Sequence, residues 1–478
     1  MGRIDAETRL FLAIPYAEPP LGERRLRPPV AAAPWQGTRT ATEYGPSCPQ
    51  PVGAVKGALS EDCLTLNVFA PLSPPPGGAP VMVFLHGGGF GTGGAAGYPS
   101  QWLSAPTGTL IVTLNYRLGA LGFLVHPAID QALDVPSGNM GLRDQQLALA
   151  WVRDNIAAFG GDPARVTVFG ESAGALSSCL HMFMKGSEGL ARGFIAESGS
   201  CVAGSLRPTT REKALDVGAA FVDQHCALAA DTLQCLQELP VESFVSTSFV
   251  VAAGGTGTNT WPHVDGELIA AHPMQMLRAR HFQGSAFIAG SNAREAALYE
   301  LYGFPHVGSH LDLLALLYAF YPDAWSEIYE HYKHKDGGDA HEIFIRIFTD
   351  EQFRCPTRAW VREASALGVR PYLFSFAVAP AAHSLELDYV FGWPTGGVSL
   401  SFPGEAPNPP TPSVVHTVQT YWTTFARTLD PNDGTQPTWP SYDADNDSHM
   451  ILTDPTITGT ALSSDDCDFW DQHYAQEL

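Results

Sequence analysis

Six short runs of apolar residues recur along the chain, at 81–85, 109–115, 165–169, 193–196, 285–289 and 371–376. Each is rich in β-branched or aromatic residues, and most are apolar throughout rather than alternating. That is the pattern of strands buried on both faces. Between the second and third runs, Ala148, Val152, Ile156 and Phe159 fall along one face of a helix predicted over 141–159, which Gly160-Gly161 ends. Further helices are predicted over 173–184 and 413–427. Strand and helix alternate, which predicts an α/β fold with a mostly parallel sheet covered by helices on both faces. We expect a single domain over 1–478 with long insertions, and a helical flank over about 207–280.

The Pro/Gly-rich stretches 71–80 and 403–412 read as surface loops rather than linkers, because apolar periodic segments resume after each. No internal repeat or low-complexity tract interrupts the pattern. With 45% hydrophobic and 16% charged residues, the 478-residue chain can bury a large core. Its formal net charge of -22 repels nucleic acid and anionic membranes. The apolar stretch 110–125 contains Asn115 and Arg117, so it falls short of the roughly 20 clean residues of a membrane span. Residues 1–12 carry no basic-then-apolar leader, which decides nothing, since such leaders are removed on export.

Candidate chemistry begins at Gly170-Glu171-Ser172-Ala173-Gly174, which fits G-x-S-x-G between a predicted strand and a predicted helix. Two glycines let the chain reverse tightly, leaving the Ser172 hydroxyl exposed at the sheet edge as a nucleophile. The plainer alternative is a Gly-rich turn whose serine only caps the helix. Acyl transfer passes through an oxyanion, which needs donors placed in advance. His86-Gly87-Gly88-Gly89, after the run 81–85, offers the backbone N–H groups of Gly88 and Gly89, and Ala173 offers a third. In such a constellation the acid and then the histidine follow the serine. His383 comes shortly after the run 371–376, a better position than those of His331, His334 or His416. Glu295 follows the run 285–289 in the same way, with Asp388 as a rival acid.

With these residues placed, the chain resembles the type-B carboxylesterase family, which includes cholinesterases and a group of fungal lipases. The resemblance runs through Phe11-Leu12-Ala13-Ile14-Pro15-Tyr16-Ala17, Ser60-Glu61-Asp62-Cys63-Leu64-Thr65-Leu66-Asn67, Asn115-Tyr116-Arg117-Leu118-Gly119, Gly138-Asn139-Met140-Gly141 and Gly160-Gly161-Asp162-Pro163. It implies an α/β-hydrolase fold and a serine carboxylic-ester hydrolase that needs neither metal nor cofactor. The family's acid motif Gly-x-Asn-x-x-Glu falls on Gly290, Asn292 and Glu295, and its histidine motif on His383 to Gly392, which raises Glu295 and His383 above Asp388. The resemblance further implies disulfides Cys48–Cys63, Cys226–Cys235 and Cys355–Cys467, with Cys179 and Cys201 left as free thiols. It also implies ion pairs Arg25–Glu61 and Arg117–Asp144. Three bridges imply an oxidising compartment and hence secretion. Asn446-Asp447-Ser448 is the only glycosylation sequon.

The chain departs from its relatives between Cys48 and Cys63. Fungal lipases carry a long amphipathic lid there and cholinesterases a tryptophan, whereas here the loop is short and holds no aromatic residue. An open site for soluble short-to-medium acyl or aryl esters is therefore expected, rather than one for choline esters or emulsified triglycerides. Small residues at 255–259 suggest room for a bulky acyl group. A lipase or sterol esterase with its lid elsewhere is the first alternative. An inactive cholinesterase-like binding module is the second, disfavoured because the three triad residues and the glycine loop are all present. A small-molecule ester is the partner expected, and the sequence leaves the oligomeric state open.

Overall fold

The computed structural model describes residues 1–245, 260–302, 304–394 and 409–476. The segment 255–259 and most of the loop 403–412 lie outside them. Among the described residues, an eleven-stranded sheet forms the centre of the fold. Its strands are β1 (Arg3–Asp5), β2 (Thr8–Pro15), β3 (Thr65–Pro71), β4 (Ala79–Leu85), β5 (Leu110–Leu114), β6 (Gly161–Glu171), β7 (Gly193–Glu197), β8 (Ala286–Asn292), β9 (Arg370–Phe376), β10 (His449–Leu452) and β11 (Ile457–Gly459). In space they are ordered β1-β2-β3-β5-β4-β6-β7-β8-β9-β10-β11. The run from β5 to β10 is parallel throughout, and the antiparallel pairs lie toward the two ends of the sheet.

Each of the six expected strands is present. The outer strands β1, β2 and β3 at one end of the sheet and β10 and β11 at the other are additions that the apolar runs did not signal.

Alternation along β4 explains why its sequence reads as continuously apolar. Val81, Val83 and Leu85 join one buried cluster, while Met82 and Phe84 point to a second on the opposite face. Helix α1 (Met140–Asn155) contributes Leu142, Ala148, Leu149 and Val152 to the first cluster, and α2 (Ala173–His181) contributes Ala175, Leu176 and Leu180. Helix α3 (Pro412–Thr428) covers the other face with Val418, Tyr421, Trp422 and Phe425. With both faces covered, every residue of β4 is buried, so the strand had to be apolar at all positions.

Arg25 pairs with Glu61 at 2.5 Å and Arg117 with Asp144 at 2.7 Å, as the family resemblance implies. Bridges Cys48–Cys63, Cys226–Cys235 and Cys355–Cys467 are present. The expectation that Cys179 and Cys201 are free thiols is corrected: they form a fourth bridge, with Cα atoms 5.7 Å apart. Helix α2 and the loop after β7 bring the two buried cysteines face to face, a proximity that positions 22 residues apart in sequence do not reveal. Among the described residues no helix is long and apolar enough to cross a membrane.

Candidate active site

Strand β6 ends at Glu171, and Ser172 follows with φ 57° and ψ -121°, outside the regions that non-glycine residues favour. Its N–H donates to the Glu197 carbonyl at 2.9 Å, which fixes the turn against β7. A side chain at position 174 would overlap the Leu85 carbonyl oxygen, so the second glycine of the motif is what lets α2 leave so close to β4. Ala173 is the first residue of α2, where N–H groups have no partner within the helix and can face an anion.

The glycine loop lies directly against the serine: a Cβ on Gly87 would fall 3.1 Å from Ser172 Cβ. Gly88 adopts φ 103° and Gly89 φ 57°, and the loop is closed by N–H groups of Gly91 and Thr92 donating to the Gly88 carbonyl. Just before it, His86 stacks on Tyr116 with ring centroids 4.4 Å apart, and the Tyr116 hydroxyl donates to the His86 carbonyl. Burial pulls the His86 imidazole down to about 4, so it is a neutral support at physiological pH. From the other side the Gln50 amide clips the short Cys48–Cys63 loop to Gly93, donating to its carbonyl at 2.7 Å and accepting from its N–H at 2.8 Å.

Glu295 and His383 meet over the same sheet edge. Nδ1 of His383 lies 2.7 Å from Oε2 of the fully buried Glu295. Oε1 of Glu295 accepts from the Asn292 N–H at 2.6 Å. The two loops are sewn together by the Asn292 side chain donating to Ala382 O and by the Arg294 N–H donating to Ala381 O. Phe353 packs on the imidazole, with centroids 4.9 Å apart. The rivals stand elsewhere. His416 and His334 are exposed, His331 bonds Asp466, and Asp388 sits in the helix Leu387–Phe391.

Sequence reasoning missed three further buried carboxylates, one against this histidine and two acting on the first. Glu171 Oε1 lies 3.1 Å from His383 Nε2 and accepts from Ser384 Oγ. Glu386 accepts from the Asn292 amide, and Glu197 accepts from Trp422 Nε1 at 3.0 Å. All three are buried. Glu171 stands inside the nucleophile motif, Glu386 follows His383 by three residues, and Glu197 ends a strand; those positions were the available signals. Burial pushes Glu197 up to about 8 and Glu386 well above the usual carboxylate range, the latter helped by Glu171, Glu197 and Glu295. Burial alone would lower the His383 pKa, but Glu171 and Glu295 outweigh it and raise it to about 9.

A carboxylesterase family model matches residues 2–470. The chain is similar to an acetylcholinesterase of Bungarus fasciatus, 30% identical over 99% of this chain and 84% of that protein. It is also similar to the neuroligin-2 proteins of Homo sapiens and Mus musculus, each 33% identical over 88% of this chain. It spans 58% of the human neuroligin and 57% of the mouse one.

Proposed function

The chain belongs to the carboxylesterase family, and from that membership and the assembled site we propose that it is a serine hydrolase of carboxylic esters. The observation that carries the reading is the buried Glu295–His383 pair, whose Nε2 reaches Glu171 immediately before the strained Ser172, itself set against the glycine loop. Ser172 Oγ attacks the ester carbonyl carbon while His383 Nε2 takes its proton. The N–H groups of Gly88, Gly89 and Ala173 hold the oxyanion. His383 returns the proton to the departing alkoxide, and the acyl group stays on Ser172. Water, deprotonated by the same nitrogen, then releases the acid and restores the serine. Glu295 keeps Nδ1 protonated, so the lone pair of the neutral ring stands at Nε2.

Soluble short-to-medium acyl and aryl esters are the substrates that suit the short loop clipped down by Gln50. Its one exposed large apolar side chain, Val52 at 96% exposure, is too little to seat a lid on a lipid surface. Four bridges support an oxidising compartment, outside the cell or in the secretory pathway. A chain-length series of p-nitrophenyl esters beside emulsified triglyceride tests the reading. Turnover of the soluble series without a rise at the oil–water interface is expected, and strong interfacial activation would transfer the assignment to a lipase.

Similarity to neuroligin-2 supports a second reading, a binding module without turnover. Fluorophosphonate labelling separates the two: covalent modification at Ser172 fits the hydrolase, and a folded but unreactive protein fits the module.

A further inference from the structure

Ser172 is not the only strained residue at this edge of the sheet. Ser198, one residue past the end of the neighbouring strand β7, adopts φ 58°, and both serines sit in backbone conformations that non-glycine residues rarely hold. Such geometry is costly and persists only where the surroundings enforce it. Here the enforcement is cyclic. The Ser172 N–H is bonded to the Glu197 carbonyl, and Gly199 approaches so closely that a Cβ there would lie 2.7 Å from the Ser172 carbonyl oxygen. The loop then reaches Cys201, which is bridged to Cys179 in α2, the helix that begins immediately after the nucleophile. Its N–H also points at the Cys179 sulfur, at 3.2 Å. Ser172, α2, the bridge and the loop back to Glu197 thus form one closed ring around the serine.

Resting on the hydrolase reading above, we propose that the Cys179–Cys201 bridge is a positioning device for the nucleophile, holding the loop 198–201 against Ser172 so that the serine stays in its strained, reactive conformation. The role is constitutive rather than a redox switch, because both cysteines are 0% exposed and closed to a dissolved reductant. Without the bridge the loop is free to draw back, the turn relaxes, and Oγ leaves the line between His383 and the oxyanion donors. A misplacement on the order of 1 Å at a reacting atom costs up to about a hundredfold in rate.

The test compares wild type with Cys179→Ala/Cys201→Ala and with Cys179→Val/Cys201→Ala, which refills the lost volume. Cys226→Ala/Cys235→Ala serves as a control that removes a bridge packed in a different buried cluster from Cys179 and Cys201. A soluble p-nitrophenyl ester and a fluorophosphonate are the reagents. We expect kcat and the rate of Ser172 labelling to fall together by about tenfold or more in the first two variants, with KM within about twofold, while the control keeps wild-type kcat. Equal kcat and labelling in variant and wild type would overturn the proposal. So would failure of both bridge variants to fold, since the bridge would then serve the whole chain rather than the elbow. A wild type that neither turns over esters nor labels at Ser172 defeats the hydrolase reading, an outcome distinct from either of these.

Discussion

Nε2 of His383 lies 3.1 Å from Oε1 of Glu171, the residue immediately before Ser172, while Nδ1 of the same ring lies 2.7 Å from Glu295. A neutral ring that donates Nδ1–H to Glu295 presents a lone pair at Nε2, and a lone pair cannot bond an ionised carboxylate. The contact with Glu171 therefore belongs to a state with a proton shared between them, and it competes with the general-base role proposed for Nε2.

Activity should accordingly rise with pH. The His383 pKa stands at about 9, so kcat/KM for a soluble ester is expected to climb through that value as the ring loses its proton. Glu171→Gln should move the limb down toward the ordinary imidazole range, as seen in a pH–rate profile. An unmoved limb would remove Glu171 as its cause. The same shift has a stability sign: the folded-state pKa lies above the unfolded value, so His383 contributes stability fully below pH 6.5 and loses it as pH rises through about 9.

Ser172→Ala should abolish fluorophosphonate labelling and reduce ester turnover by about 10⁴-fold or more, and Glu295→Gln should reduce turnover by a factor of similar order. Ser172→Ala should not lower Tm as a cavity in the core would, because it removes only a hydroxyl. Turnover retained in Ser172→Ala would place the nucleophile elsewhere.

Glycine at position 88 is required by both its φ of 103° and its contact with Thr92. Gly88→Ala should turn the N–H away from the oxyanion and lower kcat by about 10²–10³-fold with little change in KM. Steady-state kinetics on a short acyl ester checks the split.

Arg117 and Asp144 are buried together, at 3% and 0% side-chain exposure. Arg117→Met leaves the carboxylate without its partner and should destabilise the protein by about 3–5 kcal/mol in urea unfolding. A loss below about 1 kcal/mol would mean that Asp144 takes up a proton at little expense.

Thiol titration in denaturant should find no free cysteine, where the family pattern alone leaves two. Cys48→Ala/Cys63→Ala opens a loop whose ends are 15 residues apart and should lower stability by about 3 kcal/mol. It should also loosen the Gln50 clip on Gly93 beside the oxyanion donors, seen as a fall in kcat.

The central strands were legible because burial on both faces demands unbroken apolar runs, and β4 supplies one. The N-terminal strand β2 was not. Its buried positions alternate with half-buried ones, and its partner β3 lies some fifty residues further on, so no local turn announces the pair.

Linear sequence determined the candidate chemistry that local spacing encodes. Ser172 stands between a strand and a helix with glycines two residues away on each side, three consecutive glycines follow a buried strand, and Glu295 and His383 follow later strands in the expected order. Tertiary structure alone decided what surrounds that chemistry. It brought Glu171 against the His383 imidazole and Glu197 and Glu386 within electrostatic reach of Glu171, and it joined Cys179 to Cys201. The physical reason is that parallel strands end side by side regardless of how far apart they lie in the chain. Charge density, burial and cysteine pairing at that edge are properties of the assembled sheet.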